Sequence, residues 1–210
     1  MTTERKYPIG IQTFSEIIRG GYLYVDKTDL VWQLAHYAKY VFLSRPRRFG
    51  KSLLSSTLHS YFAGDRELFE GLKIMPLEQE WVSYPVLHFD LSGAKHMPVK
   101  GVREELERLL KEMEKIYGRD SDETTPGMRF AGLVNRAYEQ TGRQVVVISD
   151  EYDAPLLDVL HEDVSLRDMR EVMQEFYQRL KMLEPKIKFC FITGITRISQ
   201  LNIFSTYENS

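Results

Sequence analysis

Cysteine is almost missing from this chain: Cys190 stands alone among 210 residues. No internal disulfide can form, and no cysteine-based metal cluster can assemble. One thiol in this length suits a reducing compartment, so a cytoplasmic location is expected. The five histidines are scattered, without an H-x-x-x-H pair on any predicted helix, so they read as no metalloenzyme site. No apolar run approaches the roughly 20 residues that span a bilayer, and no membrane role is expected. The N-terminal stretch MTTERKYPIG lacks the apolar core of a signal peptide. Positive charge is not in excess either: the net charge is -2. A domain-wide basic footprint for nucleic acid is therefore absent, and only residues 45–48 form a dense basic patch. Repeats, low-complexity segments and a dividing linker are missing as well.

What remains is the mix of an ordinary globular domain, 43% hydrophobic and 28% charged, in a length that suits one sizeable core. A single domain over 1–210 is expected. The last apolar residues, Leu201, Ile203 and Phe204, stop without a closing element, so the chain reads as the N-terminal part of something longer.

Hydrophobic periodicity gives the layout. A short helix is predicted over 13–18, with Phe14, Ile17 and Ile18 on one face and Gly20-Gly21 after it. YLYV at 22–25 reads as extended, and Asp26 as a cap for a helix over about 27–39, with Leu30, Val31, Leu34 and Ala35 inward. YVFLS at 40–44 is an apolar run of strand formers. Lys51 to Phe62 is helical through Leu53, Leu54, Leu58, Tyr61 and Phe62, and Gly64 ends it. A second strand is predicted at 84–93. Two helices follow: 101–117, carrying Val102, Leu106, Leu109, Leu110, Met113 and Ile116, and 128–140, carrying Phe130, Leu133, Val134, Ala137 and Tyr138. QVVVIS at 144–149 is the clearest buried strand. A long helix over 165–183 and a strand over 187–194 complete the pattern. The strands are continuous apolar runs that alternate with helices. That combination predicts an α/β fold, a mostly parallel sheet with helices on both faces.

The chemistry starts at FLSRPRRFGKSLL, residues 42–54. Gly50-Lys51-Ser52 ends the pattern G-x-x-x-x-G-K-[ST], the phosphate-binding loop between a strand and a helix. The helix start offers free N–H groups and partial positive charge to phosphate. Lys51 reaches the terminal phosphates, which gives it a catalytic role, and the Ser52 hydroxyl takes Mg²⁺. Arg45, Pro46, Arg47, Arg48, Phe49, Gly50, Lys51, Ser52 and Leu53 are the candidate nucleotide-binding stretch. Arg45 stands where the first glycine is usual. Two readings of the arginines stand side by side: forks for phosphate oxygens, or solvated side chains in a loop stiffened by Pro46.

VVVISDEYD supplies a second half. Asp150 and Glu151 follow a buried strand directly. Nucleotide hydrolases need a carboxylate there for the Mg²⁺ shell, the role of Asp150, and a general base for water, the role of Glu151. The strand ending at Thr193 offers a polar tip that could sense the γ-phosphate; the plainer reading is a strand cap. Arg197 reads as a phosphate or neighbouring-subunit arginine, or as a surface residue. Asp153 reads better as a cap before Pro155 than as a metal ligand. Asp90 is open between site and turn.

Four stretches, YPIGIQTFSEIIRGGYLYVDKT, FLSRPRRFGKSLLSSTL, VVVISDEYDAPL and FCFITGITRIS, together resemble the AAA-ATPase-like family of bacterial proteins. The likeness runs from about residue 6 to the end, and the Arg-Pro-Arg-Arg-Phe-Gly-Lys-Ser loop is itself a mark of the family. Arg45 is then an expected variant. The resemblance implies a P-loop NTPase fold of the additional-strand-catalytic-Glu type, in which the Thr193 strand lies between the loop strand and the Asp150 strand. It implies ATP and Mg²⁺ as ligand and cofactor, with Gly50, Lys51 and Ser52 at the phosphates and Asp150 and Glu151 as the acidic pair. Asp26 to Thr28 matches the family's entry element and is expected near the adenine. Members often carry a C-terminal PD-(D/E)XK nuclease-like domain. No such domain is expected within these 210 residues, so nuclease activity is not carried over.

The leading expectation is an ATP-binding protein with Mg²⁺-dependent hydrolysis that drives or gates a partner or an appended domain, with a homo-oligomer as a source of a further arginine. The alternative is a nucleotide-gated switch that binds ATP with little or no hydrolysis. A small-molecule kinase with 118–126 as lid is disfavoured by the acidic pair, and nucleic-acid binding through 45–48 by the overall acidity.

Overall fold

The computed structural model describes residues 6–157, 159 and 163–196. Arg197, Leu201, Ile203 and Phe204 lie outside these described residues.

In chain order the elements are α1 (Phe14–Arg19), α2 (Thr28–Tyr37), β1 (Tyr40–Ser44), α3 (Lys51–Ala63), β2 (Val86–Asp90), α4 (Val99–Tyr117), α5 (Pro126–Thr141), β3 (Val145–Asp150), α6 (Ala154–Leu157), α7 (Asp163–Tyr177), α8 (Arg179–Met182) and β4 (Ile187–Gly194). The four strands form one parallel sheet in the order β1-β4-β3-β2. β4 thus lies between the loop strand β1 and the acidic strand β3, as the resemblance implies. Asp90 pairs in register with Asp150, and Ser44 with Gly194, so the carboxyl ends of the strands are level.

All six β3 residues are buried, which is why its sequence is a continuous apolar run without alternation. Alternate residues still serve opposite faces. Val145 and Val147 of β3, with Cys190 and Ile192 of β4, pack beneath α4, α5 and α7. Val146 and Ile148, with Phe189 and Phe191, pack beneath α1 and α3.

Several sequence readings are corrected. The helix expected over 165–183 is broken at Gln178 into α7 and α8, and a 3-10 turn, Glu184–Lys186, follows. The strand expected over 84–93 shrinks to Val86–Asp90, because Asp90 Oδ1 accepts the Ser92 N–H at 2.9 Å and turns the chain. Ile116 is 71% exposed, although its spacing suited the buried stripe of α4. Glu114 is buried there instead, in a two-point ion pair with Arg129 at 2.8 and 2.7 Å. Leu30 is 53% exposed on α2, while Val31 is buried.

Candidate functional site

β1 ends at Ser44 and the chain turns into α3 through residues 45–50. The left-handed residues of this turn are Arg48, φ 67, and Gly50, φ 76. Arg45 is not among the positive-φ residues, so no glycine is required at its position. Its backbone N–H instead donates to the Gly194 carbonyl of β4 at 3.1 Å. Lys51, only 5% exposed, donates from Nζ to the Arg45 and Pro46 carbonyls at 3.0 and 3.1 Å. The loop is therefore shaped by a lysine and by two late left-handed residues. The Arg45, Arg47, Arg48 and Phe49 side chains are exposed around it. Of the two readings of Arg47 and Arg48, the structure supports the solvent-facing one for their present rotamers.

Across the sheet, Asp150 ends β3 and is buried. Its Oδ1 accepts the hydroxyl of Thr193, which is itself wholly buried on β4. The same hydroxyl oxygen accepts the Glu151 N–H at 3.2 Å. Thr193 therefore clasps the acidic pair from the side and does not stand free at the strand tip. Glu151 is half-buried and takes a left-handed backbone, φ 50.

Ser52 and Asp150 line one cleft of about 370 Å³. Its other walls are Gly10 to Thr13, Glu16, Ser56, His88 and Asp90. Register explains the company: His88, Asp90 and Asp150 lie on the sheet face that α3 covers. The N-terminal segment is fixed to α3 through Ser56, which donates to the Gln12 carbonyl at 3.1 Å and accepts the Phe14 N–H at 2.9 Å. His88 is pushed down to about 4 by burial and by neighbouring His59, with Asp150 and Asp90 pulling the other way. It is neutral at pH 7, and its Nε2 is buried without a hydrogen-bond partner. Among the described residues no group of three or more His, Cys, Asp or Glu is placed to hold a metal alone. A serine hydroxyl and one buried carboxylate fit an Mg²⁺ whose remaining oxygens come from phosphates and water. Glu151 does not line this cleft.

A second cavity, of about 430 Å³, opens on the other side of Gly50. Val25, Leu30, Leu34, Leu43, Phe49 and Leu53 make most of its wall apolar. Lys27 lines it too, but the side chains of Asp26 and Thr28 face elsewhere. Asp26 accepts from Thr28 and from the Lys73 N–H at 2.8 Å, and Thr28 Oγ1 accepts the Ile74 N–H at 3.0 Å. The entry element is thus a tie between α2 and residues 73–74.

The sequence missed the N-terminal wall and His88, since a short polar stretch and a lone histidine carry no pattern of their own. It also missed Gly194. A Cβ there would lie 2.4 Å from the Tyr152 ring, so only glycine lets the ends of β3 and β4 meet. Asp153 does not cap the turn before Pro155 with its side chain; its carboxylate binds the segment after β4. Asp90 serves its own turn and also borders the cleft. No helix of the described residues is long and apolar enough to cross a membrane.

Comparison with known proteins adds two findings. The sequence profile of a family described as Predicted AAA-ATPase matches residues 8–204. A curated protein of Azotobacter chroococcum mcd 1, described as "Uncharacterized protein in vnfD 5'region", is 35% identical over 208 residues. That alignment takes in 99% of this chain and 40% of the relative, so the chain spans well under half of that protein's length. No solved structure matches.

Proposed function

Because the chain belongs to the family of predicted AAA-ATPases, we propose that it binds ATP with Mg²⁺ and hydrolyses it. The observation that carries this reading is the pairing of Ser52, on the helix after the loop, with Asp150, at the end of a distant strand, in one cleft beside Lys51.

Each group then has a task. The Lys51 ammonium exchanges the Arg45 and Pro46 carbonyls for β,γ-phosphate oxygens, helped by the free N–H groups at the start of α3. Ser52 and Asp150 would hold Mg²⁺, which offsets negative charge on the phosphates. Glu151 accepts the proton of the attacking water as its oxygen bonds the γ-phosphorus and the bond to ADP breaks. Thr193 orients Asp150 and Glu151. The apolar cavity beside Gly50 suits the adenine, with Lys27 of the entry element at its rim. The arginines of the loop are free to swing onto phosphate.

Lys51→Ala abolishes binding of a fluorescent ATP analogue, measured by titration. Glu151→Gln keeps binding and loses hydrolysis by about 100-fold or more, in keeping with the worth of a general base. Hydrolysis by Glu151→Gln at the parent rate would refute the base assignment.

The position of Glu151 outside the Ser52–Asp150 cleft favours one second reading, a switch that binds ATP and barely turns it over. A single-turnover assay separates the two. In either case the bound state acts on a partner, a second copy or a further domain, and the length of the relative makes an appended domain a natural recipient.

A further inference from the structure

Glu151 has a left-handed backbone at φ 50. A residue with a Cβ keeps that conformation only when its surroundings hold it. Here the surroundings are supplied by β4 and the residues after it. Thr193 accepts the Glu151 N–H through its hydroxyl at 3.2 Å, and the Tyr152 N–H through its carbonyl at 2.9 Å. Two residues past Glu151 the direction of bonding reverses. Asp153 Oδ2 accepts the Ile195 N–H at 2.8 Å, the Thr196 N–H at 2.6 Å and the Thr196 hydroxyl at 2.6 Å. Asp153 is wholly buried, and its Oδ1 has no hydrogen-bond partner among the described residues. Gly194 lies in the middle, with no room for a Cβ between Tyr152 and Asp153 Oδ1.

Two ordinary roles for such a carboxylate do not fit. A helix cap accepts from N–H groups of its own helix, whereas among the described residues Asp153 Oδ2 accepts from 195 and 196 alone. A ligand of the Mg²⁺ site would border the cleft of Ser52 and Asp150, and Asp153 does not. Its bonds tie one strand-end turn to another.

We propose that Asp153 is a positioning residue: it clamps residues 195–196 to the β3 turn and so keeps Glu151 in its left-handed, strained conformation at the end of the sheet. Thr193, from β4, and Asp153, from the turn itself, then join the same turn to the end of β4. A shift of residues 195–196 acts on the Glu151 turn directly, and reaches Lys51 only at one remove, through Ser44, whose hydroxyl donates to the Ile195 carbonyl at 2.9 Å, and the Arg45 carbonyl. This deepens the hydrolysis reading above and rests on it for its kinetic consequence, but not for its structural one.

The test uses the full chain and two readouts. The first is single-turnover ATP hydrolysis beside titration with a fluorescent ATP analogue. Asp153→Ala slows hydrolysis at least about tenfold through misalignment, with affinity within about threefold of the parent. Asp153→Asn keeps an oxygen acceptor for Ile195 and Thr196 and restores the rate to within about threefold. If Asp153→Asn is as slow as Asp153→Ala, the negative charge matters and the clamp is wrong. If both hydrolyse at the parent rate, it is also wrong.

The second readout needs no nucleotide. Glu151→Gly melts above Glu151→Ala by about 2–4 °C, because both lack the side chain and only glycine relieves the backbone. In the Asp153→Ala background this gap closes. A gap that persists there overturns the clamp, even in a chain that does not hydrolyse ATP. Loss of hydrolysis in the parent with the gap behaving as stated would sink the ATPase reading and leave the clamp standing. Should Asp153→Ala not fold, Thr196→Val replaces it; it removes one of the three donors, and the gap narrows without closing.

Discussion

Under α4, α5 and α7 the sheet is covered by a layer of leucine, valine, methionine and phenylalanine, with a buried ion pair at its edge and a groove of about 330 Å³ between α5 and α8 at its rim. Under α1, α2 and α3 it is covered by an aromatic cluster that leaves a cavity of about 430 Å³ on one side of α3 and a cleft of about 370 Å³ on the other. The same strands feed both faces by alternation. The difference teaches where the room lies: on the first face it is a groove at the rim, and on the second it flanks the glycine-lysine loop itself. Filled interiors are what close packing favours, so space beside a glycine-lysine loop is space kept for something.

Substitutions on the first face are expected to cost stability and to leave binding by the folded fraction alone. Glu114→Ala gives the largest effect. It leaves the buried Arg129 guanidinium with Glu107, whose carbonyl accepts at 3.3 Å, in place of its two-point partner, and costs about 3 kcal/mol in denaturant unfolding. Burial alone would raise the Glu114 carboxyl, but its hydrogen bonds to Arg129 and the charge of that residue outweigh burial and hold it below the usual range. The unfolded chain then binds the proton more readily. The stabilisation is complete above the unfolded glutamate value, about 4.3, and is lost as pH falls through the folded value. Glu114→Gln therefore shows a flatter stability profile than the parent between neutral pH and acid.

Where the two faces meet, both properties should fall together. Gly194→Ala drives a methyl into the Tyr152 ring and costs about 1–3 kcal/mol by overpacking. It also displaces the turn that carries Glu151, so hydrolysis falls further than stability explains. Equal hydrolysis per folded molecule would mean that Gly194 is a packing residue only.

On the open face the balance reverses. Leu30→Trp adds bulk at a half-exposed cavity wall and changes stability by less than about 0.5 kcal/mol. On the proposed placement of the base it fills that space, and it weakens ATP more than inorganic phosphate in competition titrations. Unchanged ATP affinity would move the base elsewhere.

Much of this was legible in the sequence. β1 and β4 were bounded to the residue, since each apolar run is cut off by a loop of a different composition. The loop, Ser52 and Asp150 were singled out by motif, and the structure brings Ser52 and Asp150 to one cleft; the strand order came by resemblance. What was not legible depends on three-dimensional neighbours. Ile116 matched the period of α4 but lies beyond the reach of the layer beneath, while Glu114 is buried because Arg129 meets it from α5. Arg45 looked like a misfit because the pattern locates flexibility at its position; the structure puts the left-handed residues at 48 and 50. The N-terminal wall of the cleft is tied to α3 by Ser56, one turn beyond Ser52, and no local pattern announces it.

The position of β4 has a consequence for the order of events during synthesis. The loop at residues 45–52 leaves the ribosome early, yet the strand that seats beside β1 and accepts the Arg45 N–H ends at Gly194. The acidic strand likewise needs β4 as its neighbour and Thr193 to hold Asp150. Pairings so distant in sequence form slowly, because a long loop must close before they bring any gain. A nascent chain shorter than about residue 194 therefore carries the loop motif without the site. β4, made long after the loop, turns that loop from a stretch of basic sequence into part of the proposed site.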